Sequence, residues 1–249
     1  MNILVICAHP DDETIGMGGT MKKLSKDHDI TVLFVAEGVT GRRKSGYENN
    51  PSYEVSDDEM KKMGEEIEVR KVHAINALEV LGIKKVRFLD LPNVELDQIP
   101  LLRIIKEIEN EIEKTNCNII FTHHFNDLNI DHKVVYEATI TAARPIPSSS
   151  VFAIASFEIP AATDWKYPYQ FRPNLFVNIS NELDTKIEAL KEYEYEIRTT
   201  PHPRSQEMMK ATAMRWGSLS GYNAAEAFEL VRIRLDDISG ISLGKLNIA

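Results

Sequence analysis

Two rhythms of apolar residues alternate over the first two thirds of the chain. Short β-branched runs, Ile3 to Ala8, Thr31 to Ala36, Val86 to Leu91 and Asn118 to His123, predict strands, whereas Glu59 to Leu81 and Leu101 to Lys114 carry their apolar positions at helical spacing. Strand and helix in turn make the βαβ pattern of a mainly parallel, doubly wound sheet. Beyond residue 150 the pattern predicts two further strands, Val151 to Ile159 and Asn174 to Ile179, followed by helices over Glu182 to Ile197, Glu207 to Trp216 and Ala224 to Leu230. Sheets of this kind bind ligands in the crevice outside the carboxyl ends of their strands. Each of the first four strands ends in a polar cluster: His9 to Glu13, Glu37 to Lys44, Asp90 to Asn93 and His123 to His132. All four are expected on one rim.

Composition narrows the picture. With 249 residues, 43% of them hydrophobic, the chain can build the core of a single domain over residues 1–249. Glycines and prolines are dispersed, without repeats or a linker. The formal net charge of −9 offers no basic footprint for nucleic acid, and the densest basic run, Arg42-Arg43-Lys44, is too short to change that. There is no apolar run of about eighteen residues, and Ile3 to Ala8 is too short and lacks the basic start of a signal peptide, so a cytoplasmic protein with no membrane partner is expected. Cys7 and Cys117 each lie in an apolar run and read as buried free thiols rather than a disulfide. The loop over 38–57 has the length of a mobile flap or of a plain insertion.

The stretch "LVICAHPDDETIGMGG" ends a buried strand on Asp11, Asp12 and Glu13, whose mutual repulsion needs a reason. Gly16, Gly18 and Gly19 after a strand, with Glu37 closing the next, suggest a nucleotide site and hence an NAD-dependent oxidoreductase. Three carboxylates would repel a pyrophosphate, however, and Met21 fills the third glycine position. A metal explains the acids better. His9 and Asp12 are three apart in a turn shaped by Pro10, and "HHFNDLNIDHK", with three of the seven histidines, supplies candidates for a third ligand. Two histidines and one carboxylate with an open position suit catalytic Zn²⁺ and also accommodate Fe²⁺. A non-catalytic metal- or sugar-binding module is a further alternative. The acids also suit the start of a helix, which is the preferred reading of Glu13. His123, ending an apolar strand, reads as a packed or supporting residue rather than a ligand.

"AHPDDE", paired with "DLNIDH" roughly 120 residues later, resembles the PIG-L or LmbE-like family of zinc-dependent de-N-acetylases. The likeness extends through "LFVAEGVTGR", "ALEVLGI", "PHPRS" and "AEAFELVR". It implies a Rossmann-like three-layer α/β sandwich, His9, Asp12 and His132 as the ligands of Zn²⁺, and Asp11 as general base. The implied reaction removes the acetyl group from an N-acetylglucosamine-type conjugate. Many members carry a histidine three residues before the last ligand, where this chain has Asn129. An amide can donate a hydrogen bond to an oxyanion but cannot deliver a proton. The proton for the leaving amine is therefore expected from Asp11, or from His202 in "TTPHPRS". Trp165, with Tyr167 and Tyr169, is a candidate sugar-stacking surface, and Arg42, Arg43 and Arg204 are candidates to hold an anionic group beyond the sugar. The expected partner is a small sugar conjugate, with a homo-oligomer left open.

Overall fold

Ile3, Val5 and Cys7 belong to one apolar core, and Leu4, Ile6 and Ala8 to another. A strand buried on both faces belongs in the middle of a parallel sheet, and that is where it lies. The structure, a computed structural model, describes residues 1–42, 56–194 and 196–234. Strand β1 (Asn2–Cys7) pairs in parallel with β2 (Asp29–Ala36) on one side and β4 (Ile119–His123) on the other. Parallel pairing continues outward to β3 (Lys85–Leu91) and β5 (Ala153–Phe157). Strand β7 (Ala225–Ile233) runs antiparallel to β5 and to the edge strand β6 (Leu175–Asn178), giving the order β3-β2-β1-β4-β5-β7-β6.

Helices cover both faces. Met17 and Met21 of α1 (Asp12–Leu24), Ala77 and Leu78 of α2 (Asp57–Leu81) and Ile187 and Leu190 of α5 (Leu183–Lys191) fill the first core. Ile104 and Ile108 of α3 (Leu101–Thr115) and Val135 and Ala138 of α4 (Ile130–Ala142) fill the second. Helix α6 (Gln206–Ser220) lays Trp216 on Ala225 and Ala227 of β7. The result is the expected three-layer, Rossmann-like α/β sandwich. No helix among the described residues is long and apolar enough to cross a membrane. Cys7 and Cys117 are buried free thiols.

The helix expected over Ala224 to Leu230 is instead the body of β7. Its Ala, Glu and Leu residues favour a helix in isolation, but such propensity is weak against tertiary pairing. Strands flank it on both sides, with Phe228 opposite Phe157 of β5 and Leu175 of β6. Alternation sends Ala225 and Ala227 towards α6 and Phe228 into the first core. On the Phe228 side, Glu226 accepts from the Gly19 and Thr20 amides and from Lys186 Nζ, so its buried carboxylate is satisfied.

The glycines of the nucleotide reading have a packing role. Gly16 and Gly19 lie inside α1, where a Cβ would come within 2.5 Å of the Phe157 ring and 2.9 Å of Ile179. They let the helix press on the sheet. The turn that a pyrophosphate would need is occupied by His9, Pro10 and Asp11. After β3 the chain crosses by α3 to β4 on the far side of β1, so the switch point of the sheet opens between the carboxyl ends of β1 and β4.

Candidate metal centre and active site

His9 and Asp12 stand at the end of β1 and the start of α1, and His132 is the third residue of α4. One ligand atom from each lies within 4.8 Å of the others, and all three residues are buried. Asp12 Oδ2 is 3.4 Å from both His9 Nδ1 and His132 Nε2. It also accepts the His9 backbone N–H at 2.8 Å, which closes the turn.

The surroundings orient these groups. Asp131 Oδ2 lies 2.9 Å from His9 Nε2, and Asp131 also accepts from Val94 N at 2.6 Å and Leu96 N at 3.1 Å. With Nε2 engaged, Nδ1 is the His9 nitrogen that faces Asp12. His132 Nε2 is buried and, among the described residues, has no hydrogen-bond partner. Its Nδ1 is 3.2 Å from Asp127 Oδ2, a carboxylate held by the Thr163 hydroxyl and Asn129 N. An orphaned imidazole nitrogen and an imidazole backed by a carboxylate, both turned on one buried aspartate, fit a divalent cation with nitrogen and oxygen donors. His123 stacks on His132 with centroids 4.0 Å apart, and its Nε2 accepts the Ala8 N–H at 2.8 Å. That bond ties β1 to β4 and makes His123 a packed residue.

Charge follows the same geometry. Burial works against ionisation of Asp12, but His132 and His123 outweigh it and hold its carboxyl well below the ordinary range. Burial also opposes charge on His132, yet Asp12 and Asp127 carry it up to about 10. His123 is pushed down to about 3 by burial and by His132.

Asp11 is separate from these candidate ligands. Its φ of 120° is rare for a residue with a side chain, a strain on the order of 1–3 kcal/mol that only a well-determined surrounding sustains. Arg70, buried on α2, supplies it: Nη2 donates to Pro10 O at 2.6 Å and lies 3.2 Å from Asp11 Oδ2, while Nη1 donates to Glu196 at 2.7 Å. Arg204 adds a second guanidinium, with Nη1 3.5 Å from Asp11 Oδ2 and Nε donating to Pro160 O. Burial pushes Asp11 up to about 7 against the pull of Arg70. Glu13, read from sequence as a helix-start acid, is fully buried, accepting from Tyr193 OH at 2.6 Å and from Asp11 N at 3.0 Å.

His9, Asp11, Asp12 and His132 open onto a cavity of about 200 Å³, lined also by Gly38, Gly41, Arg70, Asn93, Val94, Asn129 and Arg204. Asn129 caps α4, its Oδ1 accepting from Asp131 N at 2.9 Å. Neither His202 nor Trp165 lines the cavity. His202 is partly buried, accepts Arg204 N at Nδ1 and meets the Trp165 ring edge-on at 5.5 Å. Tyr169 OH donates to Glu158. The Arg42 side chain, Arg43 and most of the 38–57 loop fall outside the described residues. Arg70 and Asp127 were not foreseen: Arg70 sits in a helix rich in charge, and nothing in its spacing marks it as buried. Asp127 opens the "DLNIDH" motif, which was its only signal.

Residues 4–143 match the PIG-L family, described as GlcNAc-PI de-N-acetylase. Diacetylchitobiose deacetylase of Thermococcus kodakarensis is 28% identical over 238 residues, 92% of this chain and 82% of that protein. The fold superposes on N,N'-diacetylchitobiose deacetylase from Pyrococcus horikoshii with a TM-score of 0.72 at 20% identity, covering 97% of this chain and 87% of that one. It also superposes on GalB, the 4-carboxy-2-hydroxymuconate hydratase of Pseudomonas putida, with a TM-score of 0.71 at 18% identity, covering 95% and 98%. One fold thus serves a deacetylase and a hydratase, so fold likeness alone does not name a reaction. The family match spans both the "AHPDDE" turn and the "DLNIDH" helix start, and the chain belongs to the PIG-L family.

Proposed function

We propose that this chain is a metal-dependent hydrolase that removes the N-acetyl group from a small N-acetylglucosamine-type conjugate, releasing acetate and a free amine. The observation that carries the reading is the convergence of His9, Asp12 and His132 on one point beside a separate buried carboxylate, Asp11. These three residues would hold Zn²⁺, with Fe²⁺ as the alternative that the same donors accept. When bound, such an ion supplies Lewis acidity towards an amide carbonyl and makes water easier to deprotonate.

Asp11 accepts the proton of the attacking water, for which a carboxyl raised towards neutrality is suited. The water oxygen bonds to the acetamide carbon, and the carbonyl π electrons move onto its oxygen. Asn129 has its Oδ1 committed to the helix cap, so its Nδ2 is the atom left to donate to that oxyanion. As the carbon–nitrogen bond breaks, Asp11 returns the proton to the amine. His202, packed against Trp165 and away from the cavity lining, is not needed for this step. Arg70 and Arg204 fix the Asp11 side of the cavity.

The test is an assay for acetate and free amine over a panel of N-acetylglucosamine conjugates, N,N'-diacetylchitobiose included, with the protein metal-loaded, chelated and reloaded. Equimolar acetate and amine, lost with the metal and regained with it, is the expected result. Metal binding without acetate release from any conjugate points instead to a non-catalytic module, and overturns the proposal.

A further inference from the structure

Glu37, the residue after β2, is buried and collects donors from two loops. Its carboxylate accepts from Val39 N at 2.5 Å, from Thr40 N at 3.2 Å and from the Thr40 hydroxyl, all in the loop after β2. It also accepts from Asn93 N at 2.9 Å, in the loop after β3. Thr40 Oγ1 accepts the same Asn93 N–H at 3.1 Å, closing a small ring of hydrogen bonds around the carboxylate. Two loops with no strand pairing of their own are thereby joined at one side chain.

Those loops form a wall of the cavity. Gly38, Gly41, Asn93 and Val94 line it together with the candidate metal ligands His9 and His132. Val94 has a φ of 61°, which a β-branched residue adopts only under constraint, and its N–H is thereby aimed at Asp131, the partner of His9. One chain of contacts therefore runs from Glu37 through Asn93 and Val94 to Asp131 and His9.

We infer that Glu37 is a positioning residue for substrate: it presets the wall against which the sugar conjugate docks. The inference rests on the deacetylase reading above. A carboxylate is required there because every group facing it is a donor, and an amide would turn one oxygen into a donor opposed to donors. A wall fixed in advance spares the ordering cost on binding, so its loss appears in substrate affinity rather than in the chemical step.

Glu37→Gln preserves size and tests this directly. With N,N'-diacetylchitobiose as substrate, KM rises by about tenfold or more and kcat stays within about threefold, with metal content unchanged. Thr40→Val, which removes the bridging hydroxyl, moves KM the same way, and Thr40→Ser restores it. Calorimetric binding of the deacetylated disaccharide gives a readout independent of turnover, and about tenfold weaker binding by Glu37→Gln is expected. An active wild type with unchanged KM and affinity in both Glu37→Gln and Thr40→Val overturns the inference alone. A wild type that releases no acetate, yet binds the disaccharide more tightly than Glu37→Gln, overturns the deacetylase reading and leaves the positioning role standing.

Discussion

His9 and Asp131, 122 positions apart in the chain, meet with Nε2 2.9 Å from Oδ2. The same carboxylate oxygen takes the Val94 amide at 2.6 Å, so the contact that orients the imidazole also fixes the loop after β3. The ring is left with Nδ1 facing Asp12.

Asp131→Asn keeps the shape but places an amide NH₂ where one carboxylate oxygen accepted a backbone N–H. Affinity for a divalent metal should fall by roughly 10- to 100-fold, the usual effect of removing an outer-shell partner, with the fold retained. Competition against a chromophoric chelator measures it, and unchanged affinity would show that the contact does not support a ligand.

The stacked pair His123 and His132 separates structure from metal binding. His132→Ala should lose the metal and remain folded. His123→Ala should keep the metal but leave the Ala8 N–H buried without its acceptor, a loss of roughly 1–3 kcal/mol in denaturant unfolding. Metal analysis and urea titration of both variants check the contrast.

Asn129 has a capping oxygen and a candidate donor on one amide. Asn129→Asp retains an acceptor for Asp131 N and removes the donor. Its thermal midpoint should stay close to that of wild type while kcat falls by roughly 100- to 1000-fold, the range for loss of one oxyanion donor. A normal kcat in this variant would leave Asn129 with the cap alone.

Much of this was legible in the sequence because β1, β2, β4 and β5 are buried parallel strands, and burial on both faces writes itself as continuous apolar runs ending at polar clusters. The candidate metal cluster was legible in part for the same reason, since strand ends place His9, Asp12 and the His123 to His132 segment on a common rim, but the choice of His132 within that segment rested on the likeness to the PIG-L family. The β7 strand was not, since Ala225 to Leu230 is composed of helix formers and only its neighbours on both sides make it a strand. Arg70 escaped because a buried arginine in a charged helix looks like a solvated one until Asp11 and Glu196 are seen against it. Glu37 was visible as an acid at a strand end, but its partners at Asn93 and Thr40 come from loop geometry that has no sequence period.

Metal-free protein offers a pH test of the Asp11 site. Burial raises its pKa from an ordinary 3.8 to about 7, so the native state keeps a proton that the unfolded chain has lost. The native state then binds more protons between about pH 4 and pH 7, and its stability falls as pH rises through that window. Asp11→Asn lacks this dependence. The unfolding free energy of chelated Asp11→Asn, minus that of chelated wild type, should therefore increase from pH 4.5 to pH 7, as read by urea titration. A constant difference would contradict the raised pKa.

The proposed mechanism gives adjacent aspartates different roles, Asp12 as ligand and Asp11 as base. Metal content and acetate release measured together on Asp11→Asn and Asp12→Ala test it most directly. Asp11→Asn should bind about one metal ion per chain, as in a mononuclear site, and lose rate by roughly a hundredfold or more, while Asp12→Ala should lose both metal and activity. Metal lost from Asp11→Asn and kept by Asp12→Ala would reverse the two roles.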